Sequence, residues 1–457
     1  MQAEAQPGGS LRELFFARVD VASLAVFRIV FGLLMAFACL RFLAKGWVRE
    51  FLVEPKFHFP YAGFEWVRPL PDVWMHAHFV ALAVLALCVA AGLFYRVSSA
   101  LFCLGFTYAE LIDKTNYLNH YYLITLVSGL MVFMPLHREW SLDVRRNPAL
   151  RAATAPAWTL NLLRFQVGIV WLFAGLAKLN ADWLLHAQPL RIWLNARSDL
   201  PVVGAWLAEP WVAYAASWFG AVYDLSIVFL LLHRRTRALG FALVVVFHVF
   251  TAVLFPTIGM FPWVMIICSV LFLNPESPRR WFTAPAVIAT PPPPAPATWQ
   301  RRAHGGLLAG YAAVQILLPL RQHFTGGHAA WDGAGFNFAW NVMLVEKTGH
   351  VEIERHNSTT NRPRRIECLE YLTLRQATYM AQDPGMCASL IHWLADQHHG
   401  RSQPGSPSVE LRATMWASLN GRPSQVMATV SNSPGRDAPR VVLHPLARHP
   451  VAQPPAD

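Results

Sequence analysis

In FAGLAKLNADW, residues 173–183, Lys178 closes a long apolar run and is followed at once by an Asn-Ala-Asp-Trp turn. An amine in an apolar pocket loses the hydration of its charged form. Its pKa then falls, and a lysine lowered by several units acts as a general base near neutral pH. A hydroquinone dissolved in a bilayer is a suitable acid for such a base, and aromatic helices at a membrane interface are where its ring docks. The plainer reading of Lys178 is snorkelling, with its stem along the helix end and its ammonium among the headgroups. A second cluster, ELIDKTNYLNHYY (110–122), brings Asp113, Lys114, Asn119 and His120 together, and a third is FPTIGMFPW (255–263). His120 also reads as an interfacial hydrogen-bonding side chain like Tyr121 and Tyr122, and Asp113–Lys114 as a local ion pair.

The elements that must position these residues are membrane spans. Of 457 residues, 54% are hydrophobic and 14% charged, and the apolar residues gather into runs instead of amphipathic periods. The first twenty residues lack an apolar core and a cleavage site, so the first span is expected to act as its own insertion signal. Hydropathy gives about nine spans, near 22–43, 77–95, 97–113, 120–137, 158–178, 211–232, 237–255, 258–273 and 305–320. Several carry polar residues, among them Arg28, Arg164, Asp224 and His248. Arginines cluster at 145–151, 234–237 and 279–302, which marks the even-numbered loops and the N-terminus as cytoplasmic. The net charge of +11 therefore reads as topology, not as nucleic-acid binding. The three polar clusters then share one extracytoplasmic face with everything after about residue 321.

The expected fold is mainly α: a polytopic helical bundle of eight or nine spans followed by a small extracytoplasmic α/β domain. Its parts are a helical membrane domain (11–273), a proline-rich linker (274–304), a possible last span (305–320), an α/β domain (321–429) and a disordered tail (430–457). Cys39, Cys88, Cys103 and Cys268 fall within spans, and external Cys368 and Cys387 are either paired or free. The histidines of HAH (76–78) and the His398-His399 pair are too sparse for a metal site, and none is expected.

At these same residues the sequence resembles the vitamin K-dependent gamma-glutamyl carboxylase family in a compact bacterial form, with an HTTM-type membrane domain. The resemblance runs through FRIVFGLLM (27–35), LFYRVSSALF (93–102), LIDKTNYLNHYYL (111–123), RFQVGIVWLFAGLAKLNADW (164–183) and FHVFTAVLFPTIGMFPWVM (247–265). It continues through AWDGAGFNFAWNVMLVEKTG (330–349) and WASLNGRPSQ (416–425). It implies a bacterial inner-membrane enzyme in which Lys178 deprotonates vitamin K hydroquinone, O2 adds, and the strongly basic intermediate takes a γ-proton from a glutamate of a protein or peptide. CO2 then captures the carbanion, giving vitamin K epoxide and γ-carboxyglutamate without a metal. It further implies that His120, beside Asn119, stabilises developing charge, that Phe336 and Trp340 line the glutamate site, and that Arg422 holds the substrate carboxylate. Phe336 replaces a tyrosine of animal members, Val426 stands where a second arginine commonly follows, and Phe57 replaces a cysteine that forms a disulfide in animal members. These departures leave open quinol epoxidation without carboxylation. Lys178 as a mere anchor leaves open a non-catalytic membrane scaffold.

Overall fold

The computed structural model of the chain describes residues 17–281, 298–357, 363–399, 409–433 and 438–447. Its membrane part is built from α1 (Ala22–Ala44), α2 (Asp72–Ala91), α3 (Tyr95–Leu111), α4 (Asn119–Phe133), α5 (Ala157–Ala177), the short α6 (Ala181–His186), α7 (Pro210–Leu232), α8 (Arg237–Leu254), α9 (Phe261–Ser269) and α10 (Thr298–Leu320). Among the described residues, six helices are long and apolar enough to cross a membrane, and α3, α4 and the stretch Phe261–Phe272 are shorter apolar helices. All nine lie where hydropathy expects them. The chain is thus a mostly helical integral membrane protein with a small sheet-containing domain at its C-terminal side.

Two intramembrane arginines act as caps. Arg28 donates to the carbonyls of Val89 and Ala90 at the end of α2 and to Leu136 and Trp140 beyond α4. Arg164 donates to the carbonyls of Leu271 and Leu273, in and just after the short turn that follows α9, 2.8 and 3.1 Å away. Helix ends leave their last carbonyls unpaired, and a guanidinium with five donors satisfies several at once where water is absent. Asp224 and His248, which also lie within spans, have no such capping role.

The C-terminal domain, called external below because it lies outside the helical bundle, is a five-stranded antiparallel sheet formed by β1 (Lys347–Asn357), β2 (Arg364–Ile366), β3 (Val409–Leu419), β4 (Gln425–Asn432) and β5 (Arg440–Leu443), in the order β2-β1-β3-β4-β5. Along β3, Leu411, Ala413, Met415, Ala417 and Leu419 alternate onto one buried face. That face packs on α12 (Pro384–His399) through Met386, Leu390, Ile391 and Leu394, at helical spacing. The shorter α11 (Leu374–Met380) opens with a capping box between Thr373 and Gln376.

Two boundaries differ from the sequence reading. The last helix begins at Thr298, inside the expected linker, whose residues 282–297 lie outside the described residues. The tail expected to be disordered from 430 instead continues β4 and returns as β5, with Ser431 opposite Arg440 and Ala428 opposite Leu443. RVVL has the β-branched composition that an open sheet edge accepts. Residues 448–457 and the side chains of His398 and His399 are outside the described residues. Cys368 and Cys387 are both free.

The loop between α1 and α2 fastens the two parts together. Phe57 and Phe59 belong to the core of the external domain, the Phe57 ring lying 5.2 Å from that of Trp393. Gln376 Nε2 donates both to the Phe57 carbonyl (2.8 Å) and to Asp113 Oδ2 (2.7 Å). Where the resemblance implies that a disulfide is missing, aromatic packing does the joining.

Candidate functional site

Lys178 follows α5 and does not snorkel. Its side chain folds inward and the residue is 5% exposed. Nζ donates to Asp224 Oδ2 at 2.8 Å, to the Ala174 carbonyl at 3.2 Å and to the Val342 carbonyl at 3.3 Å, and lies 5.0 Å from the Trp183 ring. The pair needs α5 and α7 to approach closely, and Gly175 permits it. A Cβ there would lie 2.8 Å from Leu225 Cγ and 2.9 Å from the Leu225 amide nitrogen. The chain thus buries an ion pair in apolar surroundings, where each charge depends on the other.

This pair forms the polar end of a cavity of about 400 Å³ between α5, α7 and α8. Its walls are apolar and aromatic, with Trp171, Trp183, Phe219, Phe247, Phe255 and Phe261 among them. His248 also lines it, is 1% exposed, and has neither ring nitrogen hydrogen-bonded. A buried imidazole with both nitrogens unmatched is costly unless something that enters the cavity bonds to it. Apolar walls with a few convergent polar groups suit a ring with oxygen substituents.

His120 and Asn119 begin α4 on the far side of Phe261. His120 is 4% exposed, its Nε2 is unpartnered, and its ring centroid is 6.1 Å from that of Phe261; the His248 centroid is 5.7 Å from the same ring. Asn119 lines a second cavity, of about 240 Å³, between the membrane and external domains, together with Phe336, Lys114 and Lys347. Lys114 bonds Asp383 at 2.8 Å, not its neighbour Asp113, which accepts from Thr115 and Gln376. Lys347 Nζ donates to the carbonyls of Trp331 and Gln382. Burial lowers the Lys347 pKa to about 8 in spite of Asp383 and Asp332 nearby.

One strand of irregular chain touches both cavities. The Asn341 carbonyl accepts from Asn119 Nδ2 at 3.0 Å, and the next carbonyl, of Val342, accepts from Lys178. Trp340, just before them, is fully buried and stacks on Tyr122 at 4.9 Å. It lines neither of the two cavities and belongs to the core of the helical bundle. Phe338, Trp340 and Met343 have φ of 61°, 58° and 48°. For side chains of this bulk the left-handed region costs of order 1–3 kcal/mol each, so the surrounding contacts must hold the segment in place.

Arg422 stands apart. Its guanidinium is bidentate on Asp182, Nη2 to Oδ1 at 2.6 Å and Nη1 to Oδ2 at 2.7 Å, and Asn420 Nδ2 adds a bond of 2.8 Å to the same carboxylate. The carboxylate that it holds thus belongs to the NADW turn of the membrane domain, and any substrate role requires release from Asp182. Burial raises the Asp182 pKa, but the bonds from Arg422 and Asn420 outweigh it and hold the carboxyl below its ordinary value. Its stabilisation is therefore full above the unfolded carboxyl pKa, roughly 3.9, and disappears as pH falls through the folded value. A double-mutant cycle of Asp182→Asn and Arg422→Gln, followed by thermal unfolding, is expected to show coupling of roughly 1–3 kcal/mol at neutral pH. Coupling near zero would mean that the pair does not fasten the domains.

The structure therefore distributes the predicted residues: Lys178 in the membrane cavity, Asn119 and Phe336 at the cavity between domains, His120 and Trp340 buried and lining neither, and Arg422 at an interdomain clamp. Asp224, His248 and Asn341 were not predicted as site residues. An ionisable residue inside a span is by default a functional candidate, and that signal was available for the first two. No sequence signal marks Asn341, whose backbone carbonyl accepts from Asn119 and whose Nδ2 donates to Gln322 Oε1 and the Phe336 carbonyl.

Residues 16–277 match the family model described as HTTM domain, and residues 300–431 match the model described as vitamin K-dependent gamma-carboxylase, lumenal domain. No solved structure matches the chain.

Proposed function

Since the chain belongs to the vitamin K-dependent gamma-glutamyl carboxylase family, its HTTM membrane domain followed by the lumenal domain, we propose that it couples oxidation of vitamin K hydroquinone by O2 to carboxylation of protein glutamate by CO2. The observation that carries this reading is the Lys178–Asp224 pair at the end of an apolar cavity inside the membrane domain. When bound, the quinol supplies on oxidation the base strength that a glutamate γ-C–H demands. Its fit is supported by the aromatic walls and by the unmatched nitrogens of His248.

The chain's own part is to hold and move protons away from water. In a dry cavity the pair's proton can rest on Asp224 Oδ2 or on Lys178 Nζ, and with it on Asp224 the amine is free to accept another. The Val342 and Ala174 carbonyls keep Nζ oriented in both states. His248 offers a bond to a ring oxygen. The glutamate approaches through the cavity between domains, past Asn119 and Phe336, and His120 stabilises charge that develops between the two cavities. The arginine pattern supports an N-terminus in the cytoplasm of a bacterial cell, with the external domain and its peptide substrate on the other side of the inner membrane.

The test uses the purified full chain in detergent with reduced vitamin K, labelled bicarbonate and a glutamate-rich peptide, scored for epoxide and γ-carboxyglutamate. Both products are expected, and the absence of both rejects the reading. A second reading, quinol oxidation without carboxylation, is favoured by the engagement of Arg422 with Asp182, and epoxide without carboxyglutamate would select it. A pH series adds detail. Lys347 is cationic below about 8 and neutral above it, so the KM for an acidic peptide is expected to rise severalfold between pH 7 and 9. Lys347→Met should flatten that rise; an unchanged profile would remove Lys347 from peptide binding.

A further inference from the structure

The two ends of the 338–341 segment close a one-way chain of hydrogen bonds around Asn119. The Phe338 amide donates to Tyr117 Oη at 2.8 Å, Tyr117 Oη donates to Asn119 Oδ1 at 3.0 Å, and Asn119 Nδ2 donates to the Asn341 carbonyl at 3.0 Å. The two backbone groups fix its direction. An amide N–H only donates, so Tyr117 Oη accepts there and keeps its single proton for Oδ1; a carbonyl only accepts, so the Asn119 atom that meets it is Nδ2. Burial pushes the Tyr117 phenol above its ordinary pKa, so that proton stays in place at neutral pH. The phenol ring is held as well, because Phe338 packs edge-on against Tyr117 and Tyr122, 4.9 Å from each. An Asn carboxamide turns readily about its last bond and can present either end. This one is pinned at both ends. Nδ2 carries two hydrogens, of which Asn341 takes one, and among the described residues the second has no partner. Asn119 and Tyr117 both line the cavity between the domains, beside Lys114 and Lys347.

We propose that Tyr117 is a positioning residue that holds the Asn119 carboxamide in one orientation, so that its free N–H meets the side-chain oxygen of the incoming glutamate and selects a carboxylate over a carboxamide. The inference rests on the reading above that glutamate enters this cavity, and adds what makes the cavity tell Glu from Gln. Positive charge from Lys114 and Lys347 draws an acid in, and a fixed donor adds discrimination. A carboxylate accepts with both oxygens whichever way it lies, whereas a Gln carboxamide has one accepting oxygen and a donor end that an N–H repels. Were Asn119 free to turn, its Oδ1 would face the cavity part of the time, accepting the Gln amide and repelling the carboxylate.

The test reads binding instead of turnover. Fluorescent peptides that differ only in carrying Glu or Gln are titrated against the purified full chain in detergent, and the readout is the ratio of Kd for the Gln peptide to Kd for the Glu peptide. The native protein is expected to prefer Glu. Tyr117→Phe keeps the ring and removes the hydroxyl, and should lower the ratio about tenfold, roughly what a hydrogen bond to a charged group contributes. Lost packing alone would weaken both peptides together and leave the ratio unchanged. Asn119→Ala should lower the ratio to a similar extent, and adding Tyr117→Phe to it should change the ratio less than twofold, since Tyr117 acts through Asn119. No Glu preference in the native protein, an unchanged ratio in Tyr117→Phe, or an equal effect of Tyr117→Phe in both backgrounds overturns the proposal. 4-Aminophenylalanine at position 117 returns a donor to the same place and should restore the preference. If Tyr117→Phe shows no cooperative thermal transition, that variant decides together with Asn119→Ala, and loss of the preference with 4-aminophenylalanine overturns the proposal. A Glu preference set by Tyr117 without any carboxylation would sink the carboxylase reading and leave this inference standing; carboxylation with an unchanged ratio in Tyr117→Phe would do the reverse.

Discussion

Replacing Lys178 by alanine is expected to lower epoxide formation by roughly 10²–10⁴-fold, the range contributed by a positioned general base, and to take carboxylation down with it. No other amine lines the cavity to replace it. The variant also leaves Asp224 buried without its partner, a loss of about 3–5 kcal/mol if the carboxylate stays charged. Stability and chemistry must therefore be separated. Lys178→Met combined with Asp224→Leu removes both charges and should restore much of the thermal stability lost by either single change, without restoring epoxide formation. Asp224→Asn alone leaves the amine neutral but removes the carboxylate that stabilises its protonated form, so epoxide formation should fall by less than in Lys178→Ala. Unchanged epoxide formation in Lys178→Ala would show that the buried pair is structural and that the base lies elsewhere.

Trp340→Ala is expected to have the second large effect. A fully buried indole stacked on Tyr122 is worth about 3–5 kcal/mol on truncation. More specifically, Trp340 precedes the two carbonyls that reach Asn119 on one side and Lys178 on the other. Loosening them should let quinol oxidation continue with less carboxylation, so the ratio of carboxyglutamate to epoxide falls. A variant that loses both activities in equal proportion would show that Trp340 contributes packing alone. Trp340→Phe keeps an aromatic ring on Tyr122 and should keep most of the ratio.

The long apolar helices were legible because a bilayer asks only for length and hydropathy, and the sheet of the external domain because VELRATMWASL alternates. Lys178 was legible as an unusual charge at the end of an apolar run. Its partner was not: Asp224 lies 46 residues further on, and periodicity within one helix does not say which neighbour it faces. Arg422 was found for its charge but assigned to a substrate carboxylate, because a sequence does not show that the turn after Lys178 places an aspartate within 2.6 Å of it. Trp340 is legible as an aromatic of the external part, but its burial against Tyr122 is not, because aromatic residues both pack and bind. The bonds from Asn341 and Val342 come from backbone carbonyls, which every residue has.

The phenylalanines of the loop between α1 and α2 bear on how the protein is made. Phe57 and Phe59 leave the ribosome early, yet their resting place is a core whose other walls, α12 and the sheet, are among the last parts synthesised. Until then they wait as exposed apolar residues beside a half-built bundle, and the external domain waits for them in turn. Expressed without the membrane helices, that domain would have two aromatic vacancies where the loop inserts. Attempts to produce it alone should therefore yield aggregate, and co-expression of the two halves should rescue it.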